Sequence, residues 1–138
     1  MKRTSDVGII ISIISIVYWI YLIDPFKGKP QIRNYKKLIN NNRYLIIHVF
    51  ISSLLFIIGL YRNSYFKSPE FFSYSPLFFI AIVKGMNVIS RKTMNRDFHL
   101  LIRGDRLKTD IFDHFASFAT MGMSFVLALL LSHILSFV

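Results

Sequence analysis

Lys84 is the residue of this sequence with the strongest chemical claim, because it is the only formal charge inside any of four long apolar stretches. An ammonium at the middle of a membrane helix costs roughly 2.5–3.5 kcal/mol, so a lysine kept there is read first as functional: binding an anion, or pairing with a carboxylate. The opposing reading is geometric. Lys84 sits about four helical turns in from Phe71 but under two from the far end of its stretch, and its four-carbon stem can carry the charge out to the headgroups. No apolar stretch supplies an Asp or Glu to partner it, which argues against a proton relay.

A second group lies in the polar connection before the last apolar stretch. His99, Asp110 and His114 are the metal-ligand candidates, since Asp110 and His114 are four apart and share one side of a helix. His99 lies across Gly104, and the spacing matches no recognised ligand motif. Asp110 and Asp113 also fall near an expected helix start, where the helix dipole favours carboxylates, and that capping role is the simpler account. No metal, cofactor or catalytic residue is assigned. His48 and His133 read as isolated, near opposite membrane faces. A glycine-rich phosphate loop, a nucleophile elbow and a zinc-protease motif are all absent from the sequence.

A third pattern concerns packing. Ala116, Thr120, Ser124, Ala128, Ser132 and Ser136 place a small residue at every fourth position of the last stretch. In lipid, small residues let helix backbones approach closely. Each step of four drifts about 40° around a helix, so the row winds and can meet two neighbours, within the chain's own bundle or in a partner. Gly8 with Ser12, and Ala81 with Gly85, give shorter pairs of the same kind.

The elements that carry these residues are four apolar blocks at about 7–23, 44–61, 71–90 and 115–138. A bilayer core of about 30 Å needs roughly 20 helical residues, and each block comes near that length. A soluble chain of 138 residues would have too little interior to hide four such blocks. The expected architecture is therefore all-α: one membrane domain over residues 1–138, a polytopic integral membrane protein forming a four-transmembrane-helix bundle. Lys2 and Arg3 before an apolar run resemble a signal peptide, but no small-x-small cleavage site follows, so the first block reads as an uncleaved span. Pro25, Gly28 and Pro30 break the first connection, and Pro76 falls in the first turn of the third block, where a missing N–H does little harm. Met94, Phe98, Leu101 and Ile102 are spaced to give a short amphipathic interfacial helix between the third and fourth spans.

With no cysteine, disulfides and thiolate metal sites are excluded. The net charge of +10 would ordinarily suggest nucleic acid, but the basic residues fall between apolar blocks and point to anionic lipid headgroups instead. Six of them (Lys27, Lys29, Arg33, Lys36, Lys37, Arg43) lie in the first connection and six (Arg91, Lys92, Arg96, Arg103, Arg106, Lys108) in the third. The opposite side holds only Lys2, Arg3, Arg62 and Lys67. The positive-inside rule then places the basic loops in the cytoplasm and both termini outside. The abundance of Ile, Asn, Lys and Phe fits an AT-rich bacterial genome, and hence an inner membrane.

The leading functional expectation is a small non-enzymatic membrane protein that binds another membrane protein, or itself, by helix–helix contact. It would act as an accessory subunit or inhibitor; one version is an immunity protein against a pore-forming toxin. A small dimeric transporter or channel for an anionic substrate is the alternative, resting on Lys84. An interfacial enzyme acting on lipid headgroups, through the Asp and His residues of the third connection, ranks last.

Overall fold

The computed structural model describes residues 2–27, 29–66, 71–102 and 111–137. Among them are five α-helices and no strand: α1 (Lys2–Ile23), α2 (Asn34–Asn40), α3 (Asn42–Phe66), α4 (Ser75–Met94) and α5 (Ile111–Ser136), with 3-10 turns at Pro30–Ile32 and Phe71–Ser73. α1, α3 and α5 are long and apolar enough to cross a membrane. Along the middle of each helix the outward positions are apolar, as at Ile13, Val17, Phe50, Leu54, Val126 and Leu130, which suits contact with lipid.

Of the four expected spans, the third stands apart. α4 is not apolar enough by composition, because Lys84, Arg91 and Lys92 all lie within its twenty residues. Its buried residues Ser75, Pro76, Phe79, Ile80, Val83, Asn87 and Ser90 recur every three or four positions and make one inward face. α4 packs against α1, α2, α3 and α5, which makes it the hub of the bundle. Arg91 and Lys92 in its last turn complement the negative end of the helix dipole, and Asn95 closes it in the left-handed conformation that Asn tolerates.

The start of α4 is set by a glycine. A Cβ at Gly59 of α3 would lie 2.0 Å from Ser73 Oγ and 2.8 Å from the Tyr74 ring, so the turn before α4 docks directly on the α3 backbone. The Phe56 ring packs at 5.0 Å on Tyr74 and 6.2 Å on Phe78. α4 thus begins seven residues short of the end of α3, about 10 Å along the helix axis.

Two sequence expectations need correction. The first connection is not simply a linker: it contains α2, whose Tyr35, Leu38 and Ile39 are buried in the main core with Leu22, Phe79, Val83, Phe98, Leu100 and Ala116. The spacing of those three residues, i, i+3, i+4, is itself the helical signal. The interfacial helix is absent over Asn95–Ile102, where the backbone is not helical, and Met94 belongs to α4; residues 103–110, Asp110 among them, lie outside the described residues. Phe98 and Leu100 are fully buried while His99 and Leu101 are half-buried, the two-residue period of extended chain.

Candidate functional site

The first and third connections, rich in Lys and Arg, meet at one end of the bundle, around the extended segment. Non-helical backbone at this depth must find its hydrogen bonds in the protein, and side chains of three helices provide them. The Phe98 N–H donates to Asn87 Oδ1 on α4 at 2.9 Å, and Lys36 Nζ on α2 donates to the Phe98 carbonyl at 2.7 Å. The Leu100 N–H donates to the Tyr35 hydroxyl at 3.2 Å. The Leu101 N–H donates to Ser117 Oγ on α5 at 2.7 Å, while that hydroxyl donates to the His99 carbonyl at 3.3 Å. Ser90 Oγ donates to the Arg96 carbonyl at 2.9 Å.

One ion pair locks the segment to α5. Asp113, the third residue of α5, is completely buried, and both its oxygens accept from Arg96, Nη2 to Oδ2 at 2.7 Å and Nη1 to Oδ1 at 3.3 Å. The carboxylate thus sits in the first helical turn, where the dipole favours it, and meets a guanidinium as well. Arg91 pairs with Asp97 at 2.7 Å on the exposed rim. Burial pushes the Lys36 ammonium below the usual lysine range, an effect that Asp97 and Asp113 oppose.

Because Asn87 provides the acceptor for a buried N–H, Asn87→Leu strands that group in an apolar setting. An unsatisfied buried donor costs about 1–3 kcal/mol, which denaturation in mild detergent will register, whereas Thr93→Val on the exposed face of α4 stays within about 0.5 kcal/mol.

His99 gives the segment a pH dependence. Burial chiefly, with the nearby Lys36 and Arg96, lowers its pKa from the ordinary value of 6.5, although Asp113 and Asp97 pull the other way. Its Nδ1 is buried without a hydrogen-bond partner, so protonation would place a bare N–H inside the protein. The unfolded chain therefore takes up its proton first as pH falls. The contribution of His99 to stability is intact above 6.5 and is lost on descending from there toward its folded pKa. Melting temperatures measured from about pH 7 to about pH 5 should fall, and His99→Gln should flatten that fall. Equal slopes for both proteins would show that another group is responsible.

Lys84 Nζ donates to the Ile39 carbonyl at 3.3 Å, in the last turn of α2, where carbonyls lack helical partners. The stem runs toward the basic end and the charge caps a helix. The metal-ligand candidates His99 and His114 belong to the segment and to α5, Asp110 lies outside the described residues, and no group of three or more His, Asp or Glu side chains that could hold a metal occurs among the described residues. Of the small-residue row, Ala116, Thr120, Ser124, Ala128 and Ser132 are buried within the chain's own bundle, whereas Ser136 is exposed. Ala81 and Gly85 of α4 point outward instead, and a Cβ added at Gly85 meets nothing within 4 Å.

His48, which reads as isolated in the sequence, lies among three tyrosines. Its Nδ1 meets the Tyr18 hydroxyl at 2.5 Å, its ring is 4.1 Å from that of Tyr44 and 5.9 Å from that of Tyr21, and the Tyr44 hydroxyl donates to that of Tyr21 at 3.2 Å. The cluster joins the end of α1 to the start of α3 near the basic end, the level at which amphipathic rings collect in membrane proteins. Four aromatic residues at matching depths in two adjacent blocks were the available signal.

These features define a helical bundle with three helices long and apolar enough to cross a membrane and a basic end closed by a buried, hydrogen-bonded segment. No family model, curated protein or solved structure matches this chain.

Proposed function

We propose that the chain is a four-span integral membrane protein that works by lateral helix–helix binding, as an accessory subunit or inhibitor of another membrane protein. α4, completed by the Phe71–Ser73 turn, makes the fourth crossing. Its twenty residues reach about 30 Å, Lys84 turns toward the basic end, and Arg91 and Lys92 stand at the headgroups. Both termini lie outside a bacterial inner membrane, with the basic loops in the cytoplasm against anionic lipid.

The observation that carries the binding reading is the outward face of α4. Gly85 sits mid-helix, where glycine costs up to about 1 kcal/mol relative to alanine, and among the described residues nothing lies within 4 Å of a Cβ added there. With exposed Ala81 one turn before it, and Val88 and Ile89 beside it, this face suits close approach by another helix. An immunity protein against a pore-forming toxin is the specific version, since blocking a membrane partner needs surface and no chemistry.

The tagged protein, extracted in mild detergent with copurifying chains identified by mass spectrometry, should carry a stoichiometric membrane partner or a second copy. Gly85→Leu should release it while the fold persists. A clean monomer from native membranes would remove this reading. Transport of an anion would instead require that Lys84→Ala abolish flux in folded protein.

A further inference from the structure

Beside the extended segment, a cavity of about 320 Å³ runs along the first turns of α5, lined by Leu101, His114, Ser117, Phe118, Met121 and Gly122. We propose that it holds the acyl chain of a phospholipid from the leaflet at the basic end, one lipid per chain. Three observations carry this. First, polarity is graded along the cavity. His114 and Ser117 lie toward the basic end of α5, and Met121 and Gly122 one to two turns deeper, so polar and apolar ends are ordered as in a lipid standing in that leaflet. From His114 to Gly122 the depth is about 12 Å, which matches the upper part of an acyl chain. Second, the mouth opens on the membrane. α5 is apolar enough to span, and Phe115 and Phe118 on its outer face are 69% and 79% exposed. Third, the deep end is open: a Cβ added at Gly122 would meet nothing within 4 Å, so there is free space beside this stretch of the α5 backbone.

The Ser117 hydroxyl is occupied by the His99 carbonyl and the Leu101 N–H, so the occupant is recognised by shape and by the basic end of the bundle at which the cavity lies. Partner chemistry other than lipid, such as a bulky apolar side chain from a second protein, is a competing occupant that the test separates. The site depends on the membrane placement of α5 and not on the partner-binding face of α4.

The test is native mass spectrometry of the protein reconstituted in vesicles of phosphatidylglycerol and phosphatidylcholine and then extracted. Wild type should retain one phospholipid, with phosphatidylglycerol enriched over the vesicle composition. Gly122→Phe, whose Cβ meets nothing within 4 Å, puts a ring into the cavity and should cut retention at least about tenfold, while Leu54→Phe on the exposed surface of α3 leaves it unchanged. Met121→Ala enlarges the same cavity and should retain lipid at least as well as wild type, so a folding defect in the first variant does not decide the matter. Unchanged retention in folded Gly122→Phe overturns the site. So does retention in which the two lipids keep the vesicle ratio, or loss of a copurifying protein with lipid intact.

Discussion

Arg96→Met destabilises the extracted protein by about 3 kcal/mol, the largest single effect expected of any substitution at the basic end. The reason is an asymmetry of burial. Asp113 is wholly buried and its two oxygens take both hydrogen bonds from Arg96, whereas the Arg96 side chain is 30% exposed. Breaking a buried pair costs about 3–5 kcal/mol because it leaves a charge uncompensated, and the partial exposure of Arg96 puts this case at the low end. The reverse substitution, Asp113→Leu, leaves an arginine that can turn to water, so it should cost markedly less. The double variant should recover much of the loss, since exchanging the whole pair for apolar groups is often near neutral. Unfolding in denaturant, followed through Trp19, measures all three. Equal costs for the two single variants would mean that the pair is effectively solvated.

Gly59→Val comes next, at about 1–3 kcal/mol, and its value lies in the contrast with Gly85→Ala. At Gly59 even the first added carbon collides with Ser73 Oγ and the Tyr74 ring, and Tyr74 is fully buried, so the turn leading into α4 must lift off α3. At Gly85 the same carbon meets open space, so alanine should stabilise the isolated chain by up to about 1 kcal/mol through helix propensity. Two glycines in adjacent helices thus carry opposite signs: one holds the bundle together, the other leaves a face open. If Gly85→Ala destabilised the monomer, the face would already be occupied within the chain and the binding proposal would lose its support.

Long apolar runs made α1, α3 and α5 legible, because burial in lipid needs nothing more than length and composition. The first helix ends at Ile23, just before the Asp24–Pro25 break. α2 was hidden by its basic surroundings, although Tyr35, Leu38 and Ile39 carried a helical period. The segment after α4 misled in the opposite direction. Met94, Phe98, Leu101 and Ile102 have helical spacing, yet the backbone from Asn95 to Ile102 is not helical, and its polar groups bond to Tyr35, Lys36, Asn87 and Ser117. Three of those four residues are 12 or more positions away from their partners, and such contacts leave no local pattern. The same holds for Lys84. Its position predicted either a buried charge or a snorkelling one, and only the fold brings the Ile39 carbonyl within reach. The row from Ala116 to Ser132 was visible as a packing surface, but which helices it meets depended on tertiary structure.

The measurement that bears most directly on the binding account is photo-crosslinking in native membranes, with a crosslinking amino acid placed singly on two helix faces. Positions Ala81, Gly85 and Val88 on α4 should each give the same discrete protein adduct, either one partner or a second copy of this chain. Positions Ile47, Leu54 and Ile58, on the exposed apolar surface of α3, should label lipid alone. If the α4 positions also label only lipid, that face is an ordinary lipid-contacting surface and lateral binding through it is wrong.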